Sequence, residues 1–281
     1  MSQVDPGRVE PPRPALSRRE RLRQSTLDEI VQVGRSLLHE GREVTLRAVA
    51  SEMGFTAPAL YRYVGNVAAL NQLLSNDIFA EIVREMAATA EPYGDDDPAA
   101  QMVAAATAFR CWALRHSDEF QLVFHTNSLS GEHVTRSEGG RTRHPLAPSG
   151  AQGTFEGVQR FAEFFGGIFV RLSQQRPFPV PPSDELDDAF AAVHSPGGDG
   201  RPDLVGLLGK DGLGLMWLFE LSWAQLYGIV TLEVFGHIRP QLVDSGALFT
   251  AVMREIGSRA GMADDWDRLA EISREVAARG A

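Results

Sequence analysis

A cluster of arginines near the start of the chain is the first group of residues with a specific chemistry. Five arginines stand against one glutamate, Glu20, in a short stretch; they are Arg13, Arg18, Arg19, Arg21 and Arg23. Guanidinium groups bind phosphates through paired N–H donors. Residues 1–66 hold ten arginines and eight acidic residues, a net of +2, whereas the whole chain carries −10. A basic end on an acidic body indicates contact with a polyanion at one end, although a solvated arginine-rich tail has the same composition.

Motifs of catalysis and metal binding are absent from the sequence. It has no Gly-x-Ser-x-Gly, no phosphate-binding glycine loop, no His-Glu-x-x-His and no Cys-x-x-Cys, and its seven histidines are scattered. We therefore expect no catalytic residue, no metal and no cofactor, and a protein that is not an enzyme. The single cysteine, Cys111, excludes an intrachain disulfide, and the polar, proline-rich start lacks the apolar segment of a secretory signal. A cytoplasmic location fits both observations.

The segment Thr45–Val64, TLRAVASEMGFTAPALYRYV, has the spacing of a helix-turn-helix. Ala50, Gly54 and Leu60 take the first, fifth and eleventh places of one window. A small residue at Ala50 lets two helices approach closely, Gly54 suits a turn with positive φ, and Leu60 anchors the second helix in a small core. Two unrelated helices joined by a turn are the alternative interpretation.

The ends of these two helices carry capping signals. We expect Thr45 to cap the first helix and Thr56 to cap the second, with Pro58 in the first turn, where its missing N–H does no harm. Thr56, Ala57 and Pro58 then project from the end of the second helix that enters the major groove in helix-turn-helix proteins.

This segment resembles the DNA-binding segment of the tetracycline-repressor family, roughly T-x-R-x-[IV]-A-x-x-x-G-[VF]-[ST]-x-x-x-[LI]-Y-x-[HY]-[FV]. The direct match covers about 22 residues, and about 60 with the flanking helices. The resemblance implies phosphate contacts from Thr45 and Arg47, with Arg47 also able to reach a base. It implies base reading by Thr56, Ala57 and Pro58, and phosphate binding by the hydroxyls of Tyr61 and Tyr63.

One position departs from the family pattern. The family usually has lysine at the start of the following helix, near a phosphate, and here that residue is Val67. A valine lacks the charge for the family's backbone contact at this place, and the arginines of Arg18–Arg23 are candidates to replace it.

Helical periodicity dominates the chain, and no alternating strand pattern is present. The fold is predicted to be all-α, with a flexible basic arm (1–19), a three-helix DNA-binding domain (20–66) and a larger helical ligand-binding and dimerisation domain (67–281). Two polar stretches, Ser128–Gly153 and Arg176–Pro202, are predicted to be exposed or disordered loops. The remaining stretches are predicted helices: Ser25–Glu40, Leu46–Met53, Ala57–Val64, Val67–Ala90, Ala99–His116, Asp118–Asn127, Thr154–Gln175, Leu213–Gly236, Pro240–Gly261 and Asp264–Arg279.

The second domain matches known patterns only in part. The segment from Trp223 to His237 resembles a C-terminal domain of some members of the same family, named for a Trp-x-x-x-His-Gly pattern, but Tyr227 replaces the histidine. In the family, the last two long helices pair with those of a second subunit, which here implies a homodimer through Leu213–Gly236 and Pro240–Gly261. Leu215–Phe235 is long enough to cross a membrane, but Glu220 and Glu233 within it argue against insertion.

Aromatic residues on the helices of the second domain are candidates to line an apolar pocket for a flat or lipophilic ligand. For each one, ordinary core packing is the alternative. The nine residues are Phe109, Trp112, Phe120, Phe124, Phe161, Phe165, Phe169, Trp217 and Trp223.

Together, these patterns predict a ligand-responsive transcriptional regulator, most simply a repressor. It would bind a palindromic operator in double-stranded DNA as a homodimer and be released by a small lipophilic or aromatic molecule, without a role at a membrane. A DNA-binding activator or architectural protein without a ligand is the alternative. The size and aromatic content of the second domain favour the ligand-responsive interpretation.

Overall fold

The computed structural model describes residues 17–125, 156–194 and 211–280. Within these ranges the chain is helical and contains no strand, which confirms the all-α prediction. The helices, labelled in chain order, are α1 (Arg18–His39), α2 (Leu46–Glu52), α3 (Ala57–Tyr61), α4 (Val67–Ala90), α5 (Pro98–Arg115), α6 (Ser117–Phe120), α7 (Glu156–Gln175), α8 (Asp188–His194), α9 (Gly212–Val234), α10 (Pro240–Ser245), α11 (Ala247–Arg259) and α12 (Trp266–Gly280).

The chain divides into two compact units, Met1–Leu70 and Asn71–Ala281. The division lies within α4, four residues beyond the domain boundary predicted at residue 66. Helix α4 has the predicted limits, and its apolar stripe is buried at Leu70, Leu74, Ile78, Ile82 and Met86.

Helix α1 begins seven residues earlier than predicted. Ser17 and Glu20 form a capping box, in which Ser17 Oγ accepts from the Glu20 N–H at 3.2 Å and Glu20 Oε2 accepts from the Ser17 N–H at 2.7 Å. This reciprocal pair satisfies N–H groups that have no partner within the helix. Arg18 and Arg19 are consequently helical, and residues 1–16 of the predicted arm lie outside the described residues.

Helix α5 forms the centre of the second unit. Most of its residues are buried, and it packs against α7, α9 and α12. Its alanines, such as Ala104 and Ala105, let neighbouring helices approach closely. Asp97 caps its first turn by accepting from the Ala100 N–H at 3.1 Å.

A buried ion pair joins α5 to α9. Arg110 Nε and Glu233 Oε2 are 2.6 Å apart, and neither side chain is more than 7% exposed. The same guanidinium donates to the Val243 carbonyl at 2.5 Å and lies 5.2 Å from the Phe249 ring centroid. Burial raises the pKa of Glu233, and the hydrogen bond from Arg110 opposes that rise.

Helix α9 is apolar around most of its circumference. Its length and mean hydropathy of 1.2 satisfy the criteria for a membrane span, and a third of its most apolar window is buried. One such helix is weak evidence for a membrane, because a helix covered on two sides by protein has the same composition.

Two predictions about the second unit were wrong. Pro240–Gly261 is not one helix, since Gly246 adopts φ +62° and separates α10 from α11. Residues 176–194 of the predicted second loop contain a 3-10 turn at Ser183–Glu185 and helix α8, because apolar side chains among the prolines pack onto the domain. The other predicted loop, Ser128–Gly153, lies outside the described residues.

Candidate DNA-binding helices and an apolar cavity

Helices α2 and α3 have the geometry predicted for a helix-turn-helix. Ala50 and Leu60 are buried at their contact. Gly54 has φ +68°, and the Phe55 N–H donates to the Ala50 carbonyl at 2.8 Å to close the turn. The steric reasoning about these positions is confirmed.

The caps of the two helices differ from each other. Thr45 Oγ1 accepts from the Ala48 N–H at 3.1 Å, as predicted. Thr56 occupies the predicted cap position of α3 in extended conformation, but its side chain makes no capping bond, so the predicted position is confirmed and the side-chain bond is not. Pro58 in the first turn explains why none is needed, since proline removes one N–H and presets φ. Thr56 and Pro58 are exposed, and Ala57 is half-buried.

The two tyrosines of the segment occupy different environments. Tyr61 is 53% exposed, which argues against a role in the core. Tyr63 is half-buried, with the guanidinium of Arg23 5.8 Å from its ring centroid and the Phe55 ring 6.5 Å away. The ring of Tyr63 therefore helps to hold the end of α3 against α1, in addition to any contact of its hydroxyl.

Charged residues of the first unit fall into paired and unpaired groups. Arg42 bonds to Glu40 at 2.9 Å and to Glu52 at 2.8 Å. Arg47 is exposed near the start of α2 and has no ion pair within the part of the chain that the structure describes. Arg18 and Arg19 are likewise exposed, in the first turn of α1. Cations are unfavourable at this end of a helix dipole, so these two arginines do not stabilise α1 through its dipole.

The nine aromatic candidates do not form one pocket. Four of them, Phe109, Phe120, Phe124 and Phe161, pack edge-to-face or tilted into a solid cluster, with centroid separations of 4.7–6.2 Å. Phe79 of α4 completes this cluster, at 5.3 Å from Phe124 and 5.8 Å from Phe161. Sequence reasoning missed Phe79 because it stands beside the apolar stripe of α4, although the adjacent apolar pair Ile78–Phe79 signals burial on a second side.

Of the other five candidates, three line a cavity, one is buried away from it and one is partly exposed. Phe165, Phe169 and Trp223 line an apolar cavity between α5, α7, α9 and α11. Trp112 lies elsewhere, donating through Nε1 to Glu81 at 3.3 Å and stacking on His116. Trp217 is partly exposed and packs on Phe190 of α8.

Methionines contribute much of the cavity wall, which sequence reasoning also missed. Met102, Met253 and Met262 line it, and its one hydroxyl, Ser222, donates to the Leu218 carbonyl at 2.6 Å. The volume accessible to water is about 40 Å³, well below the ~300 Å³ at which drug-sized sites begin. Flexible methionine side chains can reshape to admit a larger guest.

Comparisons with known proteins agree with this geometry. A family model described as the tetracycline-repressor-like C-terminal domain matches residues 102–256, more than half of the chain. HTH-type transcriptional regulators of Mycobacterium tuberculosis (Rv1816) and Mycobacterium bovis (Mb1846) are 26% identical over 247 residues, covering 85% of this chain and 94% of each relative.

A solved structure supports the fold alone. The chain described as a regulatory protein, SCO4313, superposes with a TM-score of 0.50 and 23% identity, over 85% of this chain and 98% of that chain. A helix-turn-helix ahead of a domain that matches the family model over residues 102–256 leads to one assignment. The chain belongs to the tetracycline-repressor family of transcriptional regulators, which is not a family of enzymes.

Proposed function

We propose that this regulator is a repressor that binds a palindromic operator as a homodimer in the cytoplasm and is released by a small lipophilic or aromatic molecule. The observation that carries the DNA-binding part is that Arg47, which has no ion pair among the described residues, is exposed, as are Thr56 and Pro58 at the N-terminal end of α3. These exposed side chains are not part of the buried contact between α2 and α3, so they can bind DNA while the domain stays folded.

The contacts to DNA follow from exposure and residue type. Thr56, Ala57 and Pro58 read base edges from the first turn of α3, and Arg47 reaches phosphate or base from α2. Thr45 serves first as a helix cap. Tyr61 and Tyr63 bond phosphates, while Arg18 and Arg19 neutralise further phosphates from α1. Base contacts of this kind set the operator sequence, and phosphate contacts set orientation.

Exposed apolar side chains support the homodimer. Leu232 of α9 and Leu248 of α11 are exposed, and these helices pack against each other within the second unit. An apolar face on two adjacent helices is stabilised when the same face of a second copy covers it. Two recognition helices are then available for the two halves of a palindrome.

The apolar cavity supports the effector part of the proposal. Three of the nine aromatic candidates line it, and the remaining six act as packing around it or away from it. A regulator without a ligand remains the alternative, and it predicts that no small molecule raises the melting temperature of the protein by binding its native state.

The proposal is tested by operator binding with a matched pair of arginine variants. Arg47→Ala is expected to weaken binding to DNA from beside its own gene by about 10-fold or more, since a charged contact is worth ~1.5–3 kcal/mol. Arg42→Ala removes the same charge from an arginine already paired with two carboxylates, and we expect less than a 3-fold change. If fluorescence anisotropy showed equal losses of affinity for Arg47→Ala and Arg42→Ala, both losses would be due to net charge alone. The proposal would be contradicted if the wild type bound no DNA fragment from beside its own gene more tightly than scrambled DNA.

A further inference from the structure

The segment Arg176–His194, here named the strap, follows the end of α7, and its last residue, His194, lies against Glu220 of α9. It contains four prolines and helix α8. Three half-buried apolar side chains, Phe178, Val180 and Phe190, attach it to the rest of the second unit.

Phe178 touches two parts of the cavity wall. Its ring centroid is 5.9 Å from that of Phe169, which lines the cavity. It also packs on Gly261, which lies between the cavity residues Ala260 and Met262. A single aromatic side chain of the strap therefore packs against two parts of the cavity wall.

Two glycines make room for the strap. A Cβ on Gly261 would lie 3.3 Å from Phe178 Cβ, and a Cβ on Gly214 would overlap the Pro181 carbonyl oxygen and lie 3.1 Å from Val180 Cβ. Gly261 has φ +69° and so has a backbone reason to be glycine. Gly214 lies inside α9 without a positive φ, so the close approach of the strap is the reason for glycine there.

Polar contacts hold both ends of the strap. Arg176 bonds to Asp265 at 3.1 Å, and His194 Nε2 lies 2.9 Å from Glu220 Oε1 on α9. The middle of the strap is held by apolar contacts instead. Phe178 is held by apolar contacts with Phe169 and Gly261, so its side chain can be displaced while the polar contacts of Arg176 and His194 stay in place.

The cavity wall determines what can bind there. Among the described lining residues none is charged, and the Ser222 hydroxyl already donates to the backbone. A charged guest would lose its hydration without gaining a partner. A neutral, apolar guest has no such cost, and three methionines can reshape around it.

We infer that the strap is the entrance of the effector cavity, opened by displacement of Phe178, and that the effector is a neutral, apolar molecule. The inference rests on the proposed effector role of the cavity. Because the cavity has only about 40 Å³ of water-accessible volume, a guest larger than a few atoms can bind only after the wall has moved. The observed association rate should then level off as ligand concentration rises, at the rate of opening.

The test uses two fluorescent probes with the same ring system and the full chain. N-phenyl-1-naphthylamine is neutral, and its 8-sulfonate is anionic. Stopped-flow mixing is expected to show saturable binding of the neutral probe and at least ~10-fold weaker binding of the sulfonate, because the wall offers the anion no partner.

Three variants separate the strap from the cavity. Phe178→Ala should raise the limiting association rate by about 10-fold, since it removes part of a buried aromatic contact, and Phe178→Leu should give a smaller rise. Phe190→Ala is the matched control, because that ring packs on Trp217 and His194, and its rate should stay within about 2-fold of the wild type. Ala106→Leu fills the cavity and should abolish binding with its helical circular dichroism unchanged.

Each outcome decides one part of the inference. Equal limiting rates in Phe178→Ala, Phe190→Ala and wild type would overturn the strap as entrance. Equal affinity for both probes would overturn the inference that the effector is neutral. Full binding of the neutral probe by Ala106→Leu, or no saturable binding by the wild type, would overturn the cavity as the binding site. Operator binding measured on the same samples reports on the proposed function separately, because no DNA is present in the probe assay.

Discussion

The hydroxyl of Tyr61 projects from the end of α3 with more than half of the side chain in solvent. Tyr61→Phe is therefore expected to leave stability unchanged and to weaken operator binding by about 10-fold or more, since a hydrogen bond to a charged phosphate is worth ~1.5–3 kcal/mol. Fluorescence anisotropy at moderate salt measures the affinity, and thermal melting measures the stability. Tyr93→Phe makes the same chemical change in the second unit and should alter neither. Unchanged affinity in Tyr61→Phe would remove this residue from the DNA contacts.

Asp265 provides a second prediction at this scale. Hydrogen bonds from Arg268 at 2.6 and 2.9 Å lower the pKa of Asp265, and Arg176 adds to the effect. A carboxyl with a lowered pKa in the folded state stabilises the fold above its ordinary pKa, ~3.9, and this contribution is lost as pH falls through the lowered value.

Asp265→Asn should therefore reduce the free energy of unfolding at pH 7 by about 1 kcal/mol, and the difference from the wild type should vanish in strong acid. Urea unfolding between neutral and acidic pH measures both. Glu271→Gln is the control, because Glu271 is exposed and pairs only with Arg274 beside it on α12, so little change is expected. A difference that persisted below the pKa would point to packing in place of charge.

At the scale of helices, α4 is one continuous element of 24 residues that contains the division between the two units. The middle of α4 meets α7 closely: a Cβ on Gly157 would lie 2.7 Å from Phe79 Cβ, and the Gly157 N–H donates to Asn76 at 3.3 Å. Helix α7 also lines the cavity through Phe165 and Phe169. A guest that moves α7 thus has a contact through which to bias α4, provided that it prefers one of two states.

Asn71→Gly tests whether α4 transmits this bias. It loosens the helix at the division and should reduce the release of DNA by an effector found through thermal-shift screening, while DNA binding and effector binding persist separately. The control is Ala88→Gly, which costs more helix propensity, about 1 kcal/mol, but lies near the far end of α4. The effector should release DNA from this variant as it does from the wild type. Ile78, at the centre of the helix, is unsuitable for this test, because it is fully buried and its loss would destabilise the core by several kcal/mol. If the effector released DNA from Asn71→Gly as readily as from the wild type, the coupling between effector binding and DNA binding would be assigned to α9 and α11 instead.

The positions of the helices along the chain were largely predictable from the sequence, whereas the packing of helices against one another was not. The pattern around Ala50, Gly54 and Leu60 determines a local contact, so sequence spacing was sufficient to predict it. The separation of Trp112 from the cavity depends on which helices meet across the domain, which periodicity does not encode. The strap was predicted to be an exposed or disordered loop because it is rich in proline. Its apolar residues Phe178, Val180 and Phe190 were the available sign that it packs onto the domain.

For the whole molecule, assembly depends on the outer faces of α9 and α11. Leu232 is 44% exposed, and Leu232→Glu should convert the proposed dimer into monomers, because a carboxylate buried without a partner is unfavourable by several kcal/mol. Size-exclusion chromatography with light scattering measures the mass. Val193→Glu places the same charge at an exposed site on α8 and should leave the mass unchanged. A monomeric wild type, or a dimeric Leu232→Glu, would contradict the proposed interface.

The ion pair of Arg110 with Glu233 has a consequence for how α9 is oriented about its own axis. The free energy of burying apolar surface depends on the area buried and not on orientation. A helix with apolar side chains on most sides could therefore rotate about its axis with little change in that free energy. Rotation would, however, withdraw Glu233 from Arg110 and leave two buried charges unpaired, at a cost of about 3–5 kcal/mol. One carboxylate therefore helps to set the rotational register of α9, and with it which apolar side chains, Leu232 among them, face outward.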